Sequence, residues 1–131
     1  MGLIYVDSCL VIYAVENHPE KAAPLRELMS TVPPDRLAVS PLVTLECLIK
    51  PLRSGDHALE KRYEAALREF VQLPLPESVF VSAARLRARY NLKTPDAIHL
   101  ACAQLHDCEQ LWTNDNRLAQ SAHGLAVNVF A

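Results

Sequence analysis

Apolar positions along the chain change their spacing from segment to segment, and this change predicts alternating strands and helices. Short segments at 3–6, 37–39, 110–113 and 126–130 are expected to be strands, and the apolar run 3–6 is typical of a strand buried on both faces. Between these segments, apolar residues recur every three or four positions, as they do in amphipathic helices. Because strands that alternate with helices form parallel sheets with helices on both faces, we expect an α/β fold with a central parallel sheet.

Helix boundaries are indicated by capping residues and prolines. Helices are expected at residues 9–16, 20–31, 56–72 and 77–90. Ser8 is expected to cap the first helix, and two further helices begin at Ser40-Pro41 and Thr94-Pro95, where Ser or Thr can cap and Pro fits the first turn. Apolar stripes follow in these two helices, formed by Leu42, Leu45, Ile49 and Leu52 in one and by Ile98, Ala101, Cys102 and Leu105 in the other.

The composition favours one folded domain spanning residues 1–131. Half of the residues are hydrophobic and only three are glycine, so the chain can form a core and has no linker-rich segment. The net charge of −2 does not show the basic excess of a non-specific DNA binder. An enzyme that holds a phosphate backbone with a few local basic residues remains compatible with this charge.

Cysteine usage and the apolar N-terminal segment both predict a cytoplasmic protein without a membrane segment. The four cysteines form no CxxC pair and lie mostly among apolar residues, as small buried hydrophobic side chains do. The apolar segment 3–15 is too short to cross a bilayer and is interrupted by Asp7.

Four acidic residues stand where predicted strands end and predicted helices begin. Asp7 follows the first strand and Asp115 follows a later one, while Glu46 and Asp96 lie near the beginnings of two helices. Because sites in open α/β sheets form at the carboxyl ends of the strands, we expect all four to face one crevice. Taken singly, an Asp in a first helical turn is more often a cap, and a Glu such as Glu46 is more often solvated.

Clustered carboxylates also indicate a chemistry. They repel one another unless protons or cations neutralise them. A set of hard oxygen ligands without Cys or His favours Mg²⁺ or Mn²⁺, which can activate a water for attack on a phosphodiester.

The sequence also resembles a known nuclease family. The resemblance is carried by IYVDS at 4–8, SPLVTLE at 40–46, TPDAIHLA at 94–101 and WTND at 112–115. These segments are similar to those of PIN-domain (PilT N-terminus) nucleases, and within that group to the VapC-type toxins of toxin–antitoxin pairs. The similarity extends over about residues 3–130.

This resemblance implies a PIN-like three-layer sandwich, dependence on Mg²⁺ or Mn²⁺, and endonuclease activity on single-stranded or looped RNA. It also implies a homodimer and a small antitoxin protein as partner. By the same resemblance, the catalytic and metal-binding residues are Asp7, Glu46, Asp96 and Asp115, supported by Ser8, Thr113 and Asn116.

Two further groups of residues have alternative interpretations. The first group is Arg85, Arg89 and Lys93, which recur every four residues before Asp96. These residues are interpreted either as an RNA-binding cluster or as a solvated helix face. The second group comprises His99, Cys102, His106 and Cys108. A zinc site is a less favoured interpretation of this group, because the spacing of these residues matches no known zinc finger. His99 is expected instead to pack or hydrogen-bond behind Asp96.

Three functions are therefore compatible with the sequence. The leading hypothesis is a metal-dependent RNA endonuclease that acts as a toxin and is held inactive by an antitoxin. The alternatives are a housekeeping PIN nuclease in RNA processing, and a non-catalytic module of the same fold that holds a basic peptide in its acidic crevice. The neighbouring reading frame would separate the toxin from the housekeeping nuclease.

Overall fold

The computed structural model describes residues 2–122 and 124–131. Five strands in these residues form one sheet, and they are β1 (Ile4–Val6), β2 (Leu37–Val39), β3 (Val71–Gln72), β4 (Gln110–Thr113) and β5 (Ala126–Asn128). All neighbouring strands are parallel, and their order is β3-β2-β1-β4-β5. The predicted α/β fold with a central parallel sheet is thus confirmed.

Seven helices in the same residues flank the sheet, and they are α1 (Ser8–Val15), α2 (Ala22–Ser30), α3 (Pro41–Ser54), α4 (His57–Arg68), α5 (Glu77–Arg89), α6 (Thr94–Leu105) and α7 (Asn116–Ser121). Helix α1 packs against α2, α3 and α4, whereas α5 packs against α6. Every residue of β1 and β2 is buried, as expected for strands covered on both faces.

The strand order creates a topological switch point between β1 and β4. After β1 the chain builds β2 and β3 on one side, and it then returns to place β4 and β5 on the other side. Loops on the two sides of a switch point diverge, which opens a crevice outside the carboxyl ends of the two central strands. Asp7 follows β1, and Asp115 follows β4 by two residues, so both lie at this crevice.

The prediction of a helix through residue 72 was wrong. Helix α4 ends at Arg68, and Val71–Gln72 forms β3 instead, pairing in parallel with Ala38 and Val39. Two residues are too few to show the alternation of a strand, and their partners lie more than 30 residues away. Local periodicity therefore predicts a longer helix than the one observed, because the pairing of 71–72 with β2 is a tertiary contact.

The apolar stripe predicted on α3 does not face the core. Leu45, Ile49 and Leu52 are 57%, 43% and 60% exposed, whereas the buried residues of α3 are Val43, Cys47 and Pro51. Helix α3 thus has two apolar faces, and its contacts with α1, α4, α6 and β2 cover only one. In α6, Leu105 of the predicted stripe is likewise exposed, while Ala101 and Cys102 are buried.

Ser40 is the N-cap residue of α3 and Pro41 its first helical residue, as predicted, but none of the three hydroxyl side chains expected to cap a helix makes a capping hydrogen bond. Ser8 is the first helical residue of α1, the Ser40 hydroxyl pairs with Tyr5, and the Thr94 hydroxyl accepts a hydrogen bond from Arg87. Ser8 and Ser40 instead bind side chains in or behind the acidic crevice.

The cysteines in the described residues are free thiols. Cys47, Cys102 and Cys108 are buried, and Cys9 is partly buried. Among the helices that the structure describes, none is both long enough and apolar enough to cross a membrane.

Candidate active site

The structure brings the four acidic residues of the sequence motifs to one cleft. Asp7, Glu46, Asp96 and Asp115 line a cavity of about 360 Å³. Its other lining residues are Ser8, Cys9, Tyr13, Asn114 and Asn116. The cleft lies at the switch point because β1 and β4 end there, and α3 and α6 begin near the same edge.

Asp7 is held rigidly at the end of β1. Its backbone N–H donates to the Trp112 carbonyl at 3.0 Å, and its Oδ2 accepts a hydrogen bond of 2.8 Å from the Thr113 hydroxyl. Only 6% of Asp7 is exposed. The carboxylate stands at the N-terminus of α1 without making a capping hydrogen bond, so it stays directed toward the cleft.

Glu46 projects from the second turn of α3 and is half-buried. Its Oε1 accepts hydrogen bonds from the Ser8 hydroxyl at 3.0 Å and from His99 Nε2 at 2.6 Å. Burial raises the pKa of Glu46, but the hydrogen bond and charge of His99 and the hydrogen bond of Ser8 outweigh it, and the net pKa lies below its ordinary value. Glu46 is therefore ionised at neutral pH.

Asp96, in the first turn of α6, has the opposite environment. Burial, followed by the negative charges of Asp7 and Asp115, raises the pKa of Asp96 from 3.8 to about 6. Within the described part of the chain, no group donates a hydrogen bond to the Asp96 carboxylate. A half-buried carboxyl with a raised pKa in a cleft is characteristic of functional sites.

Asp115 both lines the cleft and caps a helix. Its Oδ1 accepts hydrogen bonds from the backbone N–H groups of Arg117 and Leu118, at the start of α7. Its own N–H donates to the Thr113 hydroxyl at 3.1 Å. The capping role considered for a single Asp therefore applies to Asp115, in addition to its place in the cleft.

Sequence reasoning underrated His99. The ring is 1% exposed, its Nδ1 is 2.6 Å from the Tyr5 hydroxyl, and its Nε2 is 2.6 Å from Glu46 and 3.6 Å from Asp7 Oδ1. His99 is buried and hydrogen-bonded, as expected, and its hydrogen-bond partners are Tyr5 and Glu46. The usable signal was its spacing, because a residue three positions after Asp96 shares the same helical face.

The zinc alternative is not supported by the side-chain positions. In the described residues, the side chains placed to share a metal ion are those of Asp7, Glu46 and His99, whose ligand atoms lie within 4.8 Å of one another. His106 instead donates from Nε2 to the Pro74 carbonyl at 2.9 Å.

A divalent cation that prefers oxygen fits this cleft. Carboxylate oxygens are the ligands that Mg²⁺ and Mn²⁺ favour. Burial is the largest cause of the raised pKa of Asp96, and the negative charges of Asp7 and Asp115 add to it. A cation between these carboxylates would remove the repulsion between them.

Comparison with known proteins identifies the family. The PIN domain family model matches residues 4–124. The chain is 34% identical to Ribonuclease VapC46 of Mycobacterium tuberculosis (strain ATCC 25618 / H37Rv) over 133 residues, which cover 100% of this chain and 98% of that protein. The chain belongs to the PIN-domain family.

Solved structures agree with this PIN-domain assignment. A toxin–antitoxin complex from Klebsiella pneumoniae contains a chain with a TM-score of 0.80 and 25% identity, covering 96% of this chain and 97% of that one. The fold also matches VapC20 of Mycobacterium tuberculosis, described as a sarcin–ricin loop cleaving toxin, with a TM-score of 0.77 at 15% identity, covering 90% of this chain and 94% of that one.

The basic residues predicted to bind RNA line two separate cavities of the PIN domain. Lys93 and Arg117 line a cavity of about 280 Å³ together with Asp96, Asp115 and Asn116, directly beside the acids. Arg85 and Arg89 line a different cavity of about 510 Å³ that contains none of the acids.

The predicted basic row is therefore divided. Helix α5 ends at Arg89, so Lys93 does not continue its face. The cavity of Arg85 and Arg89 is also lined by Gln104, which lies eight residues beyond Asp96 on α6. Eight helical residues rise about 12 Å, so Gln104 is separated from Asp96 by about this distance along the helix axis.

Proposed function

We propose that this PIN domain is a metal-dependent RNA endonuclease that hydrolyses phosphodiester bonds as the toxin of a toxin–antitoxin pair. The observation that carries the proposal is the convergence of Asp7, Glu46, Asp96 and Asp115 in one cleft of a PIN domain. The 34% identity with a ribonuclease of the VapC type supports the substrate class.

The carboxylates of Asp7 and Glu46, which lie close enough to share one ion, would hold the cation, with Asp96 and Asp115 lining the same cleft. Mg²⁺ or Mn²⁺ suits this donor set. When bound, such an ion would activate a water for attack and supply a charge that stabilises the reacting phosphate. Ser8 and Thr113 orient the carboxylates through hydrogen bonds, and Asn116 lines the cleft beside them.

Lys93 and Arg117 are the main proposed contacts for RNA phosphates. Both side chains line the cavity that adjoins Asp96 and Asp115, so a phosphate bound there lies next to the reacting position. Arg85 and Arg89 are candidates for a more distant backbone contact, because their cavity contains none of the acids. Arginine forks match phosphate oxygens in geometry as well as charge.

A small antitoxin is proposed to inhibit the enzyme through the same cleft. An arginine or lysine from the partner can take the position of the cation and form charge-assisted hydrogen bonds with the carboxylates. The solved toxin–antitoxin complex from Klebsiella pneumoniae supports a protein partner of this kind.

We further propose that the protein is a homodimer. The exposed apolar residues of α3, which are Leu45, Ile49 and Leu52, would be covered by a second subunit. Sedimentation of the wild type and of Leu45→Lys tests this step. A dimer that becomes a monomer in the variant supports it, and a wild-type monomer at micromolar concentration contradicts it.

The nuclease proposal is tested with purified protein and a structured RNA. Cleavage should require Mg²⁺ or Mn²⁺, stop with EDTA, and be lost in Asp7→Asn, Glu46→Gln and Asp96→Asn. The exposed acid Glu27 on α2 provides a matched control, Glu27→Gln, which should cut normally. Full activity in EDTA would contradict the mechanism, and binding of a basic peptide without any cleavage would favour the non-catalytic module.

The toxin role is tested separately in growing bacteria. Expression of the wild type should arrest growth, co-expression of the adjacent gene should relieve the arrest, and Asp7→Asn should be harmless. A wild type that is harmless at good soluble expression would favour the housekeeping nuclease. Arrest by Asp7→Asn equal to that by the wild type would show that toxicity arises outside this site.

A further inference from the structure

A chain of buried hydrogen bonds runs from the end of β2 to the acidic cleft. The Ser40 hydroxyl is 2.7 Å from the Tyr5 hydroxyl, which is 2.6 Å from His99 Nδ1, and His99 Nε2 is 2.6 Å from Glu46 Oε1. Ser40, Tyr5 and His99 are at most 1% exposed. This series of hydrogen bonds thus connects β1, the residue after β2, and α6 to the side chain of Glu46 on α3.

The direction of the final hydrogen bond follows from the chemistry of Glu46. An ionised carboxylate only accepts hydrogen bonds, so His99 Nε2 carries the hydrogen and donates it. The other ring nitrogen, Nδ1, faces the Tyr5 hydroxyl and not the cleft. In this arrangement Nε2 has no lone pair to offer a metal ion, although it lies close to two carboxylates.

This hydrogen bond leaves one oxygen of Glu46 available. Ser8 and His99 both donate to Oε1, and no residue in 2–122 or 124–131 donates to Oε2. His99 Nε2 also lies 3.6 Å from Asp7 Oδ1, so one N–H group stands beside both carboxylates from the buried side. The imidazole therefore hydrogen-bonds to Glu46 and lies beside Asp7, and both acids line the cleft.

We propose that His99 is a positioning residue, which Tyr5 and Ser40 hold in place so that its Nε2–H turns Oε2 of Glu46 toward the cation shared with Asp7. The proposal rests on the proposed metal-dependent function. It differs from a ligand role, because the histidine acts on the cation only through Glu46. Outer hydrogen-bond partners of metal ligands commonly change metal affinity by about 10- to 100-fold when they are replaced.

Two amide substitutions distinguish this role by geometry. In His99→Gln the side-chain amide nitrogen falls near the position of Nε2 and can still donate to Glu46. In His99→Asn the amide nitrogen falls near Nδ1 and does not reach Glu46. We expect His99→Asn to weaken Mn²⁺ binding about 10- to 100-fold, and His99→Gln to bind Mn²⁺ nearly as the wild type does, both measured by calorimetric titration without RNA.

The chain offers matched controls for both positions. His106, at the end of the same helix, donates to a backbone carbonyl outside the cleft, so His106→Asn and His106→Gln should leave Mn²⁺ affinity unchanged. Tyr5→Phe should lower Mn²⁺ affinity by releasing the imidazole. Tyr63→Phe should not, although Tyr63 is equally buried and its variant also removes one hydroxyl hydrogen bond, the one to Glu16.

The possible outcomes separate this inference from the proposed function. Wild-type protein that binds no Mn²⁺ contradicts the metal-dependent function itself. If the wild type binds Mn²⁺ and both His99→Asn and His99→Gln bind it with the wild-type affinity, the positioning role is overturned. Equal loss in both, with a wild type that prefers Co²⁺ or Zn²⁺ to Mn²⁺, overturns it in favour of direct ligation. If His99→Asn does not fold, the comparison of Tyr5→Phe with Tyr63→Phe decides alone.

Discussion

Thr113 joins the ends of the two central strands by donating a 2.8 Å hydrogen bond to Oδ2 of Asp7. The same hydroxyl oxygen accepts the backbone N–H of Asp115 at 3.1 Å. One side chain, fully buried, thus sets the spacing of two acids that arrive from opposite sides of the switch point.

Replacing Thr113 by valine should loosen Asp7 without changing the side-chain shape. Thr113→Val removes the donor to a buried carboxylate and the acceptor of the Asp115 N–H, so the free energy of unfolding should fall by about 1–3 kcal/mol. Mn²⁺ binding should weaken as well. Denaturant unfolding and calorimetric titration measure the two effects.

Thr31→Val is the control for this variant. The Thr31 hydroxyl donates to the Leu28 carbonyl at an exposed position, and the change should cost less than about 0.5 kcal/mol. If Thr113→Val matched Thr31→Val in both measurements, Thr113 would have no role in positioning Asp7.

The raised pKa of Asp96 predicts how the stability of the metal-free protein depends on pH. Because the pKa is about 6 in the folded state and 3.8 ordinarily, the folded protein takes up this proton first as the pH falls. The penalty of the charged Asp96 is therefore absent below about pH 4 and complete above about pH 6.

Asp96→Asn removes that penalty. In EDTA the variant should be more stable than the wild type by about 1 kcal/mol at pH 7, once the solvent screening of a half-buried group is considered, and the difference should shrink toward pH 4. Thermal unfolding across this pH range measures it. The exposed Asp35→Asn should show no such trend, and an Asp96→Asn protein that is less stable at pH 7 would reveal a stabilising partner for Asp96.

Two substitutions of Asp115 should distinguish its capping role from its role in the cleft. Asp115→Asn keeps a good N-cap and Asp115→Ala removes it, so only the Ala variant should lose about 1 kcal/mol of stability. Both should reduce cleavage, with a milder effect than Asp7→Asn because the Asp115 carboxylate already accepts two backbone hydrogen bonds. Full activity in Asp115→Asn would leave this residue with capping alone.

RNA affinity should depend more on Lys93 and Arg117 than on Arg85. In an Asp7→Asn background that does not cut, removing one phosphate-binding charge should make the slope of log affinity against log salt shallower by about 0.7 for a single strand. Fluorescence anisotropy over a range of salt concentrations measures this slope. Lys61→Ala, at an exposed position on α4, is the control. A larger change in Arg85→Ala than in Lys93→Ala would move the RNA path to the other cavity.

Much of the fold and of the acidic site could be predicted from the sequence. The strands β1 and β2 are continuous apolar runs, and a run that is buried on both faces needs no distant information to be recognised. Since parallel strands end at one edge, the positions of Asp7 and Asp115 follow from the chain order. Glu46 and Asp96 followed from their positions near two predicted helix starts, and the resemblance of segments 40–46 and 94–101 to the PIN family supported their assignment.

Helical periodicity could not decide which face of a helix is buried. The stripe of Leu45, Ile49 and Leu52 has the spacing of a core face, yet α3 packs through Val43 and Cys47. Both faces are apolar, and only the positions of α1 and α4 determine which one is covered.

Contacts between residues distant in sequence were decided by the tertiary structure alone. Val71–Gln72 becomes a strand because β2 offers it free backbone groups. His99 becomes part of the site because Tyr5, 94 residues earlier, and Glu46, 53 residues earlier, bind its two ring nitrogens. The sequence determined which chemical groups the chain carries and on which local face each lies. Their partners were set by folding, because a hydrogen bond depends on distance and direction in space and leaves no periodic pattern along the chain.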